Sequence, residues 1–308
     1  MTTDIIRTEN ISKHYGDVHA VSDMSLNVRK GEIYGFLGLN GAGKTTTIRM
    51  LLGMIRPTSG AAFINGKRIS MENTELWKCV GSLVEIPYSY PELTVRENLE
   101  IIRRMRFITD KKAIESVIDK LKLGVYANRK AKDLSLGNNQ RLGLAKALIH
   151  NPDILLLDEP TNGLDPSGIY EIREMLSDLA LNKGVTIFIS SHILGEISRF
   201  ATRIGIIHEG KLMKEIDANL LESVLSRHLM VSANDIHLAY SRLAQKGYNP
   251  KKITDQIIEI NDESAISKPD TVATMMVNAG CAPTLLKIDE EDLESYFLRT
   301  IGMKGSFK

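Results

Sequence analysis

A glycine-rich segment near the start of the chain has the composition of a phosphate-binding loop. It contains Gly-Leu-Asn-Gly-Ala-Gly-Lys-Thr, follows a strand-like apolar run and precedes a predicted helix. Glycines let backbone amides approach a polyphosphate closely, and the positive end of the helix adds to the attraction. The pattern predicts a nucleoside triphosphate site. Its residues are Gly38, Asn40, Gly41, Ala42, Gly43, Lys44, Thr45 and Thr46.

Two carboxylates directly follow a second apolar run, Ile154-Leu155-Leu156-Leu157. A buried parallel strand presents its carboxyl end at the catalytic edge of a sheet, so Asp158 and Glu159 are expected at that edge. Asp158 is a candidate Mg²⁺ ligand, directly or through water, together with the hydroxyl of Thr45. Glu159 is the candidate general base for an attacking water, and Lys44 supplies a point charge to the β- and γ-phosphates. These residues predict ATP hydrolysis with Mg²⁺.

A third segment, Leu-Ser-Leu-Gly-Asn-Asn-Gln-Arg over residues 134–141, stands at a predicted helix start. Over residues 4–215 the chain now resembles the ATPases of the ATP-binding-cassette (ABC) family. Ser135 and Gly137 match the signature motif of that family, whereas Leu136 and Asn138 depart from its commonest form. The resemblance implies that Ser135 and Gly137 contact ATP held by a partner cassette, so that a homodimer or cassette pair encloses two ATP molecules.

The remaining motifs of the family follow in order. The resemblance implies that Tyr15 stacks on adenine, that Asp165 couples the two nucleotide sites, and that His192 contacts the γ-phosphate and orients catalysis. Glu85 takes the place of a glutamine that senses Mg²⁺ and contacts the membrane subunit. We therefore predict Glu85 as a catalytic and Mg²⁺-binding residue that alters the Mg²⁺ dependence of hydrolysis.

One branch of the family shares these departures. Glu85, the relaxed signature and a long C-terminal extension resemble bacterial cassettes that serve bacitracin-type and lantibiotic self-protection exporters. The predicted function is thus ATP hydrolysis that energises export of such a peptide antibiotic through a separate membrane permease. Residues 86–91, which include two tyrosines, are the candidate permease surface. An exporter of an unrelated substrate, a non-transport ABC ATPase and an ATP-sensing module remain as alternatives.

Alternating strands and helices position these groups. The pattern predicts an α/β fold: a P-loop NTPase cassette with a parallel-sheet core, an N-terminal β-subdomain, a helical subdomain over about 90–150, and a small C-terminal α/β domain. The predicted boundaries are 1–218 for the ATPase domain and 219–308 for the accessory domain. Gly124 is the expected cap of one helix, and Asp289 the expected start of the last.

Composition limits the partners and the location of the chain. The 39 basic and 38 acidic residues give a formal net charge of +1, which argues against nucleic acid as the main partner. The N-terminus has no signal-peptide pattern, and no apolar run approaches the ~18–20 residues that span a bilayer. We therefore expect a soluble chain that reaches the cytoplasmic face of the plasma membrane through its permease.

Overall fold

The computed structural model describes residues 4–70, 72–85 and 88–303. Contacts divide the chain into two units, Met1–Leu220 and Leu221–Lys308. The assignment of residues 1–218 and 219–308 as ATPase and accessory domains stays a prediction. Across the described ranges, no helix has the length and apolar character needed to cross a membrane.

The first unit carries the predicted motifs. Its strands are, in chain order, β1 (Asp4–Tyr15), β2 (Val18–Met24), β3 (Asn27–Arg29), β4 (Ile33–Leu37), β5 (Ser59–Ile64), β6 (Lys67–Arg68), β7 (Val80–Leu83), β8 (Ile154–Asp158), β9 (Thr186–Ser191), β10 (Arg203–His208) and β11 (Lys211–Asp217). Its α-helices are α1 (Lys44–Leu51), α2 (Val95–Met105), α3 (Lys112–Lys120), α4 (Leu136–Leu148), α5 (Pro166–Lys183) and α6 (Leu194–Ile197).

A six-stranded sheet forms the centre of this unit, with the order β11-β10-β4-β9-β8-β7. Neighbouring strands are parallel except for β11, which runs antiparallel to β10. Every residue of β4 and β8 is buried, as expected for parallel strands that are covered on both faces. The register aligns Asp158 with Ser190 and Leu37 with Ser191. The ends of three strands therefore lie side by side at one edge.

A second sheet is antiparallel and has the order β2-β1-β5-β6, with β3 also paired to β1. The hairpin between β5 and β6 turns at Asn65 and Gly66, whose φ angles are 50° and 72°. Asparagine and glycine tolerate this left-handed region better than other residues, so this dipeptide favours a tight hairpin. This sheet corresponds to the predicted N-terminal β-subdomain.

Helices α2, α3 and α4 occupy the segment predicted to be helical. Thr94 and Glu97 form a reciprocal capping box at the start of α2. The expectation for Gly124 is wrong, because α3 ends at Lys120 and Lys122 takes the left-handed conformation with φ 54°. The earlier turn buries Leu121 and Leu123 completely. This burial offsets the cost, roughly 1–2 kcal/mol, of the left-handed backbone conformation at a residue other than glycine.

The second unit contains a four-stranded sheet of order β13-β14-β12-β15, in which all pairs are antiparallel. The last helix begins at Leu293, not at Asp289, because Asp289 lies in the final strand and Asp292 caps the helix. The elements are α7 (Leu221–Val224), β12 (Arg227–Ala233), α8 (Ile236–Gln245), β13 (Pro250–Lys252), β14 (Ile258–Ile260), α9 (Glu263–Ser267), α10 (Pro269–Asn278), β15 (Pro283–Glu290) and α11 (Leu293–Thr300).

Leu156 tests the contribution of the parallel sheet to stability. It is fully buried in β8 and belongs to the same core cluster that Trp77, the only tryptophan of the chain, packs against. We expect Leu156→Ala to lower the free energy of unfolding of this unit by about 2–5 kcal/mol, because it leaves a cavity. Urea denaturation followed by Trp77 fluorescence measures this. The control Leu181→Ala, on the exposed face of α5, should change it by less than about 0.5 kcal/mol.

Candidate nucleotide site

The phosphate loop connects the end of β4 to the start of α1. Gly41 and Gly43 have φ angles of 81° and 108°, a region that only glycine enters readily. A β-carbon on Gly43 would stand 2.5 Å from the carbonyl oxygen of Ala20. The glycines are therefore needed for the path of the loop, and the amino end of α1 lies directly behind it.

The side chain of Lys44 is buried and spans this loop. Its Nζ donates hydrogen bonds to the carbonyl oxygens of Gly38 at 2.7 Å and Leu39 at 3.2 Å. The same nitrogen lies 3.2 Å from Oε1 of Glu159. The phosphate loop and the carboxylate after β8 thus meet at one ammonium group.

Asp158 is a buried carboxylate with a hydroxyl on each oxygen. Thr45 Oγ1 donates to Oδ2 at 2.7 Å, and Ser190 Oγ donates to Oδ1 at 2.6 Å. Ser190 also accepts a hydrogen bond from the backbone N–H of Glu159 at 3.0 Å. The structure therefore brings together Thr45 and Asp158, two of the three residues predicted to bind Mg²⁺. Their oxygen atoms are the hard ligands that this ion prefers.

Glu159 joins three parts of the site. Its Oε2 is 2.8 Å from Nδ1 of His192, and its backbone carbonyl accepts a hydrogen bond from Nε2 of Gln140 at 3.1 Å. Gln140 is buried and lies on α4, the helix that begins after Ser135. Glu159 has a φ of 48°, which reorients the chain directly after β8. The predicted base, the predicted histidine and the signature helix are therefore in direct contact.

A cavity of about 640 Å³ opens above these groups. This volume lies within the range of small-molecule sites, roughly 300–1,000 Å³. It is lined by Val18, His19, Ala20, Asn40, Gly41, Gly43, Lys44, Thr45, Thr46, Glu159, Asn162, His192 and Glu209. Most of the predicted phosphate-binding residues, together with the candidate base and histidine, therefore surround one space.

Several predicted residues lie outside the lining of this cavity, among them Tyr15, Ser135, Gly137 and Asp165. Tyr15 is 47% exposed at the end of β1, with Lys13 Nζ 5.1 Å from the centre of its ring. Ser135 is exposed and caps α4, while Asp165 caps α5 by accepting a hydrogen bond from Gly168 N at 2.9 Å. A β-carbon on Gly137 would stand 3.1 Å from the carbonyl oxygen of Gly163. Their roles toward ATP stay predictions.

Glu85 is also outside the cavity lining. Its side chain is 55% exposed, its φ is 57°, and its carboxylate forms an ion pair with Arg49 on the last turn of α1. The sequence suggested a place beside the γ-phosphate but gave no sign of this partner. Contact of Glu85 with Mg²⁺ remains a prediction.

The candidate permease surface lies partly outside the described residues, because it includes Ile86 and Pro87. Tyr88 and Tyr90 are 77% and 46% exposed, with ring centroids 5.8 Å apart in an edge-to-face arrangement. The side chain of Lys146 on α4 forms hydrogen bonds with this loop. Its Nζ donates to the carbonyl of Tyr88 at 2.8 Å, to Ser89 Oγ at 2.9 Å and to Asn98 Oδ1 at 3.3 Å.

Sequence reasoning missed several residues that contribute to the site, among them Ser190, Gln140, His19 and Glu209. Ser190 could have been found, because it occupies the position on β9 that pairs with Asp158 in a parallel register. Glu209 could not, since the tight turn between β10 and β11 is remote in sequence from the phosphate loop. That turn reaches the site because Gly210 N donates to the carbonyl of Ala42 at 3.0 Å.

The fold and the site define a P-loop ATPase of the ABC type, and comparison with known proteins agrees with this class. The ABC transporter family model matches residues 21–162. The chain belongs to the ATP-binding proteins of ABC transporters. It is therefore a nucleotide-binding, ATP-hydrolysing subunit whose activity is coupled to transmembrane transport. The predictions of fold, family and ATPase activity are confirmed.

The chain is similar to several individual ABC proteins along much of its length. The chain is 42% identical to the bacitracin transport ATP-binding protein BcrA of Bacillus licheniformis, over 97% of each chain. It is 38% identical to the lantibiotic transport ATP-binding protein SrtF of Streptococcus pyogenes, over 68% of this chain and 90% of that protein. A solved ATP-binding cassette, in a dimeric post-hydrolysis state bound to ADP and Pi, is 25% identical with a TM-score of 0.65; it covers 70% of this chain and 99% of that one.

The burial of Lys146 should make the free energy of unfolding depend on pH. Burial lowers its pKa to about 8 in the folded chain, against about 10.4 for an unfolded lysine. The cost of burying the ammonium is complete below pH about 8 and disappears as pH rises toward about 10.4, so this group makes the folded chain more stable at higher pH. Between pH about 7.5 and 9.5, wild type should gain stability relative to Lys146→Met, by at most about 1.4 kcal/mol per pH unit.

Denaturant unfolding at the two pH values measures this difference. The control is Lys112→Met, on the exposed side of α3, which should follow wild type at both pH values. A stability gap between wild type and Lys146→Met that stays constant with pH would contradict the prediction.

Proposed function

We propose that this chain energises the export of a peptide antibiotic of the bacitracin or lantibiotic type through a separate membrane permease. The observation that carries the proposal is the 97% coverage of this chain by the match to the bacitracin transport ATP-binding protein. That match includes most of the second unit, whereas the match to the lantibiotic transport protein covers 68% of the chain. The contrast favours a bacitracin-type peptide over a lantibiotic.

The proposed chemistry assigns a role to each contact in the cavity. Glu159 accepts a proton from the attacking water, and His192, 2.8 Å away, orients this carboxylate. Lys44 leaves its carbonyl partners to hold the terminal phosphates. Thr45 and Asp158 would hold Mg²⁺, which neutralises phosphate charge when it is bound. Phosphate transfer then depends mainly on positioning and electrostatic stabilisation.

The exposed position of Ser135 supports the proposal that ATP is enclosed between two cassettes. Ser135 and Gly137 lie outside the cavity of their own chain, so a nucleotide from a second copy or a related cassette is their proposed contact. The helix that follows Ser135 begins at Leu136, and the amino end of a helix suits a phosphate group. Tyr15 is proposed to stack on adenine, and Asp165 to couple the two sites.

The permease is proposed to dock beside Glu85 and the exposed Tyr88 and Tyr90, at the cytoplasmic face of the membrane. Aromatic side chains of this kind are enriched in protein interfaces. Lys146 on α4 donates to the Tyr88 carbonyl and the Ser89 hydroxyl, and the same helix contacts Glu159 through Gln140. A shift of the docked loop can therefore be passed to the hydrolytic carboxylate through one helix.

Glu159→Gln tests two proposals. One is that Glu159 is the general base, and the other is that hydrolysis energises export of a peptide antibiotic. We expect the purified variant to bind ATP but to hydrolyse it at least about 100-fold more slowly, because the amide accepts no proton. Phosphate release and nucleotide binding measure these quantities. A variant that hydrolyses ATP at the wild-type rate would remove Glu159 from this role.

The cellular arm uses a source strain from which this gene is deleted. We expect the strain to become sensitive to bacitracin, with resistance restored by wild type and not by Glu159→Gln. The integral-membrane protein that copurifies with the wild-type chain identifies the permease. Unchanged growth in both bacitracin and a lantibiotic would overturn the substrate and leave the ATPase standing.

Glu85→Gln tests the proposed influence of this residue on Mg²⁺. The substitution removes a negative charge and the ion pair with Arg49 at the end of the helix that starts at Lys44. We expect hydrolysis to continue with a shifted Mg²⁺ concentration for half-maximal rate. The control is Glu75→Gln, an exposed carboxylate paired with Lys78. Identical Mg²⁺ titrations for wild type and Glu85→Gln would contradict the role.

A further inference from the structure

A second cavity of about 490 Å³ lies between α5, β9 and α6. It shares no lining residue with the nucleotide cavity. Its walls are mainly apolar and include Ile169, Tyr170, Ile189, Ile193, Ile197 and Phe200. Tyr170 is 54% exposed and Ile193 42%, which places apolar surface at an opening to solvent. A concave apolar space of this size with a few polar groups is the usual form of a small-molecule site.

The polar groups of this cavity favour an anion. Its lining residues include two arginines, Arg173 and Arg199, and one acidic residue, Glu196. Glu196 is already engaged, because Oε2 accepts a hydrogen bond from Thr161 Oγ1 at 3.1 Å. Arg173 lies 5.0 Å above the ring of Tyr170, and its ion-pair contact with Glu174 is long, at 3.9 Å. An anionic group could therefore contact Arg173 without displacing a short ion pair.

The walls of the cavity are continuous with the hydrolytic residues. Thr161 follows Glu159 by two positions, and Ile193 directly follows His192. Ser190, which also lines the cavity, holds Asp158 through its hydroxyl at 2.6 Å. In the arrangement observed, Lys44 Nζ lies 3.2 Å from Oε1 of Glu159, and the proposed mechanism requires Lys44 to turn from this carboxylate to the terminal phosphates. A ligand that holds these lining residues in place would therefore favour the conformation in which Lys44 stays in contact with Glu159. That conformation opposes hydrolysis.

We propose that this cavity is a regulatory site for an amphipathic anion, and that its occupant slows ATP hydrolysis. The ligand has an aromatic or short acyl body that fills the apolar walls, and one carboxylate, sulfonate or phosphate that contacts Arg173. This inference concerns the ATPase itself and does not depend on which molecule the transporter exports.

Anilinonaphthalene sulfonate is a suitable probe, because it combines aromatic rings with one anionic group and fluoresces in apolar surroundings. With the full chain, we expect saturable fluorescence and a decrease in ATPase rate that excess ATP does not reverse. The uncharged analogue N-phenylnaphthylamine should bind about tenfold more weakly, because it lacks the charge-assisted contact. Arg173→Gln should weaken binding of the sulfonate by a similar factor.

Gly195→Leu places a bulky side chain at the lining of the cavity and tests its location. A β-carbon at Gly195 meets no atom within 4 Å, so the added side chain enters open space. We expect this variant to lose the saturable fluorescence, and its rate to be the same with and without the sulfonate. The matched control is Gly124→Leu, where an added β-carbon is equally free but lies outside the cavity; it should respond as wild type does.

Three results would overturn the proposal. Equal sulfonate binding by wild type and Gly195→Leu would place the probe elsewhere. Equal affinities for the sulfonate and its uncharged analogue would remove the selection for an anion. Inhibition that ATP relieves completely would mean that the probe occupies the nucleotide cavity. A failed antibiotic-sensitivity experiment, by contrast, would leave these measurements unaffected.

Discussion

The buried carboxylate of Asp158 is the constraint on which the rest of the site depends. An ionised carboxylate away from water is costly unless its oxygens receive hydrogen bonds. Thr45 and Ser190 supply these at 2.7 and 2.6 Å, from α1 and β9. Because the two donors come from separate elements, the carboxylate fixes the phosphate loop, β8 and β9 against one another.

From this fixed point, polar contacts extend to two other regions. Glu159 contacts Lys44 and His192 through its carboxylate and Gln140 through its backbone. Gln140 shares α4 with Lys146, which holds the loop of the two exposed tyrosines. A single helix therefore contacts both the hydrolytic carboxylate and the proposed docking loop. This arrangement gives a physical route by which hydrolysis and transport can be coupled.

The two units differ in what sequence patterns could predict. In the first, alternating strands and helices correctly predicted a parallel sheet, because parallel strands need helical crossovers. In the second, a similar alternation produces an antiparallel sheet. Element type is set by local periodicity, whereas strand direction depends on how the helices pack. The last helix also begins later than the sequence predicted, because Asp289 pairs with His228 in the sheet.

The sequence by itself determined the phosphate loop, the apolar strand before Asp158, and the helix starts at Ser135 and Thr94. Each depends on residues within a short window, where backbone geometry allows few arrangements. Only the tertiary structure decided that Gln140 donates to the backbone of Glu159 and that Arg49 pairs with Glu85. These partners are 19 and 36 positions apart in the chain, and their contact depends on how the elements pack. Spacing along the sequence carries no record of such contacts.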